Sequence, residues 1–235
     1  MTYAHREQIY DADTHMMERP DWIAEFSDST IKPHLEPFVG GKEEILKQID
    51  AAIKGFKERA SNQVISTKAN KNFMSMEHKG WSGLGAFDSK ERKLANDLLG
   101  FDAYILFPTS SFNQVIAAKE QKILMGGIQA LNRGLATFCK EDKRMFPTAY
   151  IPLGLGPDIA KEFVDEAISM DFSIILIDTV APSGQISFTH PDYNTFWATV
   201  QDADLSVTLH VGADGGYSPV PVSYTHLTLP TNREV

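Results

Sequence analysis

Cysteine is nearly missing from this chain: Cys139 is the only one. A single thiol builds neither a disulfide framework nor a thiolate metal cluster within one chain. Long apolar runs are also absent. No stretch reaches the roughly 18 apolar residues that a membrane-spanning helix needs. The opening MTYAHREQIYDADTH lacks the apolar segment of a secretion signal. There is no dense Lys/Arg run, and the formal net charge is -9, so nothing favours nucleic acid or an anionic membrane as partner. Neither GxGxxG nor GxxxxGK occurs, which leaves dinucleotide and P-loop chemistry without support. A cytoplasmic protein with a small-molecule substrate is the expectation.

What is present is ordinary globular composition. The 235 residues are 43% hydrophobic and 23% charged, enough for one sizeable domain with its own core. Five short apolar runs read as strands: 8–12 running into Asp13-Thr14-His15, then 103–107, 148–152, 174–177 and 205–209. Helical spacing marks 43–60, 89–99, a long helix over 113–140 with Gly126-Gly127 as its weak point, 157–168 and 192–202. Residues 16–42 and 61–88 read as loop or irregular chain, with His78 and Trp81 as lid candidates.

Continuous Ile/Val/Leu strands alternating with amphipathic helices predict a parallel sheet buried on both faces. A doubly wound sheet and a (β/α)₈ barrel both meet that description. The strand ends favour the barrel. Asp13 and His15, Thr109-Ser110-Ser111, Asp178 and His210 all stand where strands finish, and in a barrel every such end opens on one mouth. Five strands are too few to close a barrel of eight. An open edge of that kind predicts poor stability, association between copies of the chain, or aggregation. From Tyr217 the pattern stops. Pro219, Pro221 and Pro230 interrupt the segment where a helix is due, and SYTHLTLPTNREV reads either as a natural C-terminal tail or, the favoured reading, as an artefactual translated end. The expected division is 1–216, the N-terminal part of a barrel domain, and 217–235, a tail foreign to it.

Side chains two apart on a strand share a face, so Asp13 and His15 point together. Carboxylate oxygen and imidazole nitrogen both suit Zn²⁺ or a similar ion. His210, at the end of a distant strand, would face the same mouth and supply a third ligand. The plainer readings are Asp13 as a local cap and His210 as a hydrogen-bonded strand-end histidine. Glu18, Asp178 and His190 are candidates for supporting groups or substrate contacts; a loop carboxylate, a turn bond and a neutral loop histidine are their ordinary alternatives.

Four stretches, IYDADTHMME, LLGFDAYILFPTS, HPDYNTFW and LSVTLHVG, resemble the amidohydrolase-related superfamily over about residues 8–216. The nearest branch is similar to aminocarboxymuconate-semialdehyde decarboxylase. The resemblance implies a TIM-like (β/α)₈ barrel and a metal-dependent hydrolase or decarboxylase of small organic, including aromatic, acids. It matches Asp13 and His15 to the first-strand ligands, although the first of these is often histidine in the family. It matches His210 to the fifth-strand ligand and Glu18 to an acidic residue just after the first motif. The implied cofactor is one divalent ion: Zn²⁺, with Mn²⁺ or Fe²⁺ as alternatives. The family's strand-six histidine and strand-eight aspartate have no match here, so little or no turnover is expected from this chain alone. The alternative is an inactive barrel domain with a structural or binding role.

Overall fold

The computed structural model describes residues 8–35, 43–73, 79–178 and 187–210. Within them five strands form one parallel sheet: β1 (Tyr10–His15), β2 (Ala103–Phe107), β3 (Met145–Ile151), β4 (Ile174–Ile177) and β5 (Ser206–Leu209). The helices in chain order are α1 (Trp22–Glu25), α2 (Glu43–Ser61), α3 (Gln63–Lys71), α4 (Ser89–Leu99), α5 (Ser110–Ile116), α6 (Gln121–Cys139), α7 (Pro157–Ser169) and α8 (Asn194–Asp202). None of them is long and apolar enough to cross a membrane.

Spatial order decides between the two candidate architectures. The strands lie in the order β1-β2-β3-β4-β5, each beside its predecessor. A doubly wound sheet reverses its order at a switch point, whereas a barrel does not. The sheet also curls. Four flat inter-strand steps of about 4.8 Å would separate β1 from β5 by roughly 19 Å. Instead, the ring of His15 at the end of β1 reaches that of His210 just beyond β5 at 3.1 Å. The fold is therefore α/β, with five parallel strands in a curled half-barrel.

The core follows from the pattern. All four residues of β4 are buried, as a strand covered on both faces requires. α6 and α7 supply Ile128, Leu131, Leu135, Phe163, Val164 and Ala167 against Leu106, Ala149, Ile151 and Ile175. Each fully buried Leu, Ile, Val or Phe side chain among these contributes about 1.5–3 kcal/mol.

Several elements differ from the pattern-based reading. The long helix over 113–140 is two helices, α5 and α6, and its break falls between Ile116 and Gln121 rather than at Gly126-Gly127. The glycines serve close packing: a Cβ on Gly126 would stand 2.6 Å from Ile31 Cγ1. α1 and α3 form inside stretches read as loop or irregular chain. α3 has no buried residue, so it shows no apolar stripe; its start is set by the Asn62 side chain, which accepts from Val64 and Ile65 N–H. β3 begins at Met145, three residues early, because Met145–Pro147 pair with β2 before the strand passes to β4. The expected boundary at 216/217, and His78, lie outside the described residues.

Candidate metal centre at the mouth of the half-barrel

The mouth is built at the ends of β1, β2 and β5. In β1 the register against β2 shifts between Asp11 and Thr14, so the strand carries an irregularity in the stretch that holds Asp13. The Asp11 carboxylate accepts the Asp13 N–H at 3.0 Å within it. Such bulges bend a strand and re-aim a side chain. Asp13 and His15 then meet His210. Asp13 Oδ1 is 3.2 Å from His15 Nε2 and 3.0 Å from His210 Nε2, and the two Nε2 atoms are 3.1 Å apart. Three ligand-type atoms thus form a nearly equilateral triangle. Phe107, buried at the end of β2, lies against both imidazoles, with ring centroids 5.8 and 4.7 Å away. It gives the histidines an apolar wall.

The donor set fits a divalent ion. Ligands at about 2.0–2.2 Å from a shared ion stand about 2.9 Å apart in octahedral and roughly 3.3 Å apart in tetrahedral geometry. The observed 3.0–3.2 Å lies between these values. Among the described residues this is the one group of three or more His, Cys, Asp or Glu side chains gathered closely enough to hold an ion.

The other predicted residues fall elsewhere. Glu18 is buried and lies just past β1. Its carboxylate accepts from Thr109 N–H at 2.8 Å, Ser110 N–H at 2.9 Å and the Ser110 hydroxyl at 3.2 Å. Burial raises its pKa, outweighing the backbone donors and the Ser110 hydroxyl, which pull the other way. Asp178 ends β4, buried, and accepts from the Tyr150 hydroxyl at 2.6 Å. His190 caps the turn Pro191–Tyr193, its Nδ1 accepting from Asp192 N–H at 3.3 Å. Neither Asp178 nor His190 joins the triangle. Trp81, the described lid candidate, donates its indole N–H to Glu18 O at 3.1 Å.

Arg92 was not singled out from the sequence, and Thr109 was named there only as a strand-end polar residue. Arg92 on α4 donates to His15 O at 2.9 Å and to Gly85 O at 2.7 Å, tying the end of β1 to the turn before α4. Gly85 sits there at φ +70°, and a Cβ would be 2.3 Å from the Arg92 Cα, so only glycine fits. Thr109 and the Pro108 carbonyl both contact His15 Nδ1 at 3.1 Å. The Pro-Thr-Ser run at a strand end was the available signal for that contact.

The molecule is thus a curled parallel α/β half-barrel with an acidic and imidazole cluster at the C-terminal ends of its strands. No protein-family profile matches the chain, and no curated protein matches it. Among solved structures, 2,6-dihydroxybenzoate decarboxylase complexed with 2,6-dihydroxybenzoate is similar at 21% identity and a TM-score of 0.46, over 61% of this chain and 46% of that one. The 2,6-dihydroxybenzoate decarboxylase from Rhizobium is similar at 22% identity and a TM-score of 0.46, over 60% and 45%. The matched region spans less than half the length of either enzyme.

Proposed function

We propose that Asp13, His15 and His210 hold one divalent metal ion, and that the chain is part of a metal-dependent hydrolase or decarboxylase acting on a small organic acid. The observation that carries this is the triangle of ligand atoms drawn from β1 and from the residue after β5. A curled sheet that brings three ligand-type atoms within 3.0–3.2 Å of one another supports a shared ion at that point. Zn²⁺ suits two imidazoles and a carboxylate, and Mn²⁺ or Fe²⁺ suits the same set. The ion supplies a Lewis acid that polarises a carbonyl or lowers the pKa of water. The chain's own residues place it. Asp13 contributes the anionic ligand, and the histidines fix the ion's position across the mouth. Phe107 excludes water from the side of the rings that it covers.

A second reading is a half-barrel that binds the ion without turning over substrate. It is favoured by the make-up of the cluster: among the described residues, no further histidine or carboxylate joins it to act as acid or base. Two measurements separate the readings. Metal content after dialysis against Zn²⁺ or Mn²⁺ should be one ion per chain, falling in Asp13→Asn and His210→Gln. No bound metal in the parent chain sinks both readings. The loaded chain is then incubated with an aromatic acid, 2,6-dihydroxybenzoate serving as probe, and assayed for released CO₂. Metal-dependent release supports a decarboxylase; stoichiometric metal without release removes that reading and leaves a hydrolase or the binding domain.

A further inference from the structure

The residues around His15 determine which of its nitrogens carries the proton. Nδ1 has two neighbours at 3.1 Å, the Pro108 carbonyl and the Thr109 hydroxyl. A carbonyl can only accept. The Thr109 hydroxyl donates its hydrogen to Met16 O at 2.6 Å, so toward His15 it too can only accept. Both contacts therefore require a proton on Nδ1. The neutral ring then presents a bare lone pair at Nε2, the atom that faces Asp13 and His210.

The Pro108 carbonyl is itself held from behind. It shares a peptide plane with the Thr109 N–H, and no peptide bond in the described residues is cis. In a trans peptide the N–H and C=O point in opposite directions. The Thr109 N–H donates to Glu18 at 2.8 Å, so fixing that bond aims the Pro108 oxygen the other way, at His15. Ser110 N–H, 2.9 Å from the second carboxylate oxygen, removes the remaining freedom of rotation. One rigid peptide thus connects a buried carboxylate to an imidazole.

We propose that Glu18 and Thr109 are positioning residues that hold His15 as its Nδ1–H tautomer through the Pro108–Thr109 peptide, keeping Nε2 open as a ligand. The value of this to the protein rests on the metal reading above; the tautomer itself does not. Glu18 acts because it accepts only. In Glu18→Gln one carboxylate oxygen becomes an amide N–H₂ that faces the Thr109 or Ser110 N–H, so the peptide loses one of its two anchoring bonds. Thr109→Val removes the hydroxyl acceptor and keeps the shape, whereas Thr109→Ser keeps both the hydroxyl and the backbone donor.

The test uses the full chain labelled with ¹⁵N-histidine, metal-free and at a pH where histidine is neutral. Two-bond ¹H–¹⁵N spectra distinguish a protonated from a bare ring nitrogen, and His15 is assigned by the signal lost in His15→Gln. The parent chain and Thr109→Ser should show His15 protonated at Nδ1 alone. Glu18→Gln and Thr109→Val should show a mixture with the Nε2–H form. Their Zn²⁺ affinity, by calorimetric titration, should fall on the order of 10–100-fold. A merely structural role would lower the melting temperature and leave the ring-nitrogen pattern unmoved. His15 protonated at Nε2 in the parent chain overturns the proposal, as does an unchanged pattern in folded Glu18→Gln and Thr109→Val. Should the parent chain bind no Zn²⁺, the metal reading fails alone, and the metal-free spectra still decide this one.

Discussion

Asn132, in the middle of α6, hydrogen-bonds both main-chain groups of Tyr150 on β3: its amide donates to Tyr150 O at 3.1 Å, and its carbonyl accepts Tyr150 N–H at 2.9 Å. The reason lies in the register. β2 pairs with β3 only as far as Pro147, so the later residues of β3 have β4 on one side and no strand on the other. A buried peptide group without a partner is costly, and Asn132 supplies the missing bonds as a strand would. The same Tyr150 directs its hydroxyl to Asp178, so the clamp also sets that side chain at the mouth.

Asn132→Leu should therefore destabilise the chain by about 2–5 kcal/mol, since two buried backbone groups lose their partners at once. Asn132→Asp keeps the acceptor, loses the donor and buries a charge, and should be no better. Urea unfolding of both variants checks this. A change in the leucine variant close to that of an ordinary surface substitution would show that water replaces the amide without cost.

At the opposite end of β3, Asp142 provides a pH-dependent contribution. Burial alone would raise its carboxyl pKa. The Arg144 guanidinium, at 2.6–3.1 Å, and the Asn96 amide, at 3.0 Å, outweigh that and hold it at about 2, below the ordinary 3.8. A depressed carboxylate stabilises the fold fully above its unfolded pKa, and that contribution is lost as pH falls through the folded value. The window is thus from about pH 4 down to about pH 2, and the amount is about 2 kcal/mol. Asp142→Asn should cost about this much near pH 6 and close to nothing near pH 2, measured by urea unfolding at both. A cost that does not change with pH would assign the stabilisation to shape rather than charge.

The positions of the strands, and with them Asp13, His15 and His210, were largely readable from sequence, because four of the five runs end in a polar group. Glu18 could be named but not placed, since its partners Thr109 and Ser110 lie across the β1–β2 register, which no local pattern encodes. α3 was invisible for a different reason: Val64 and Ile65 are exposed, so its apolar residues mark no buried face. Gly126 was misread in the reverse sense. Its low helix propensity suggested a weak point, yet α6 runs through it unbroken.

Gly126→Ala tests that last point. Alanine is better than glycine within a helix by about 1 kcal/mol, so propensity predicts stabilisation. Packing predicts the opposite. The new Cβ would stand 2.6, 2.9 and 3.1 Å from Cγ1, Cδ1 and Cγ2 of buried Ile31. Overpacking of that kind costs about 1–3 kcal/mol, so the net effect should be a loss of up to about 2 kcal/mol. Pairing it with Ile31→Ala should make the second substitution cheaper than it is alone, a coupling that a double-mutant cycle measures. Additive effects would show that α6 and Ile31 do not meet tightly.

Metal should stabilise the fold, because the three ligands come from chain segments that only folding brings together: Asp13 and His15 at the end of β1, and His210 nearly two hundred residues later. An ion that binds the folded state alone adds about 2.7 kcal/mol at a free concentration one hundred times Kd. For a chain of this size that is a rise of roughly 5–10 °C in melting temperature. Asp13→Asn and His210→Gln should abolish the rise, and chelation should reverse it in the parent. His190→Gln is the control, since His190 bonds locally to Asp192 N–H and lies outside the triangle. It should keep the full shift. An equal shift in all four proteins would mean that the ion binds elsewhere, and the convergence of β1 and β5 would then need a different explanation.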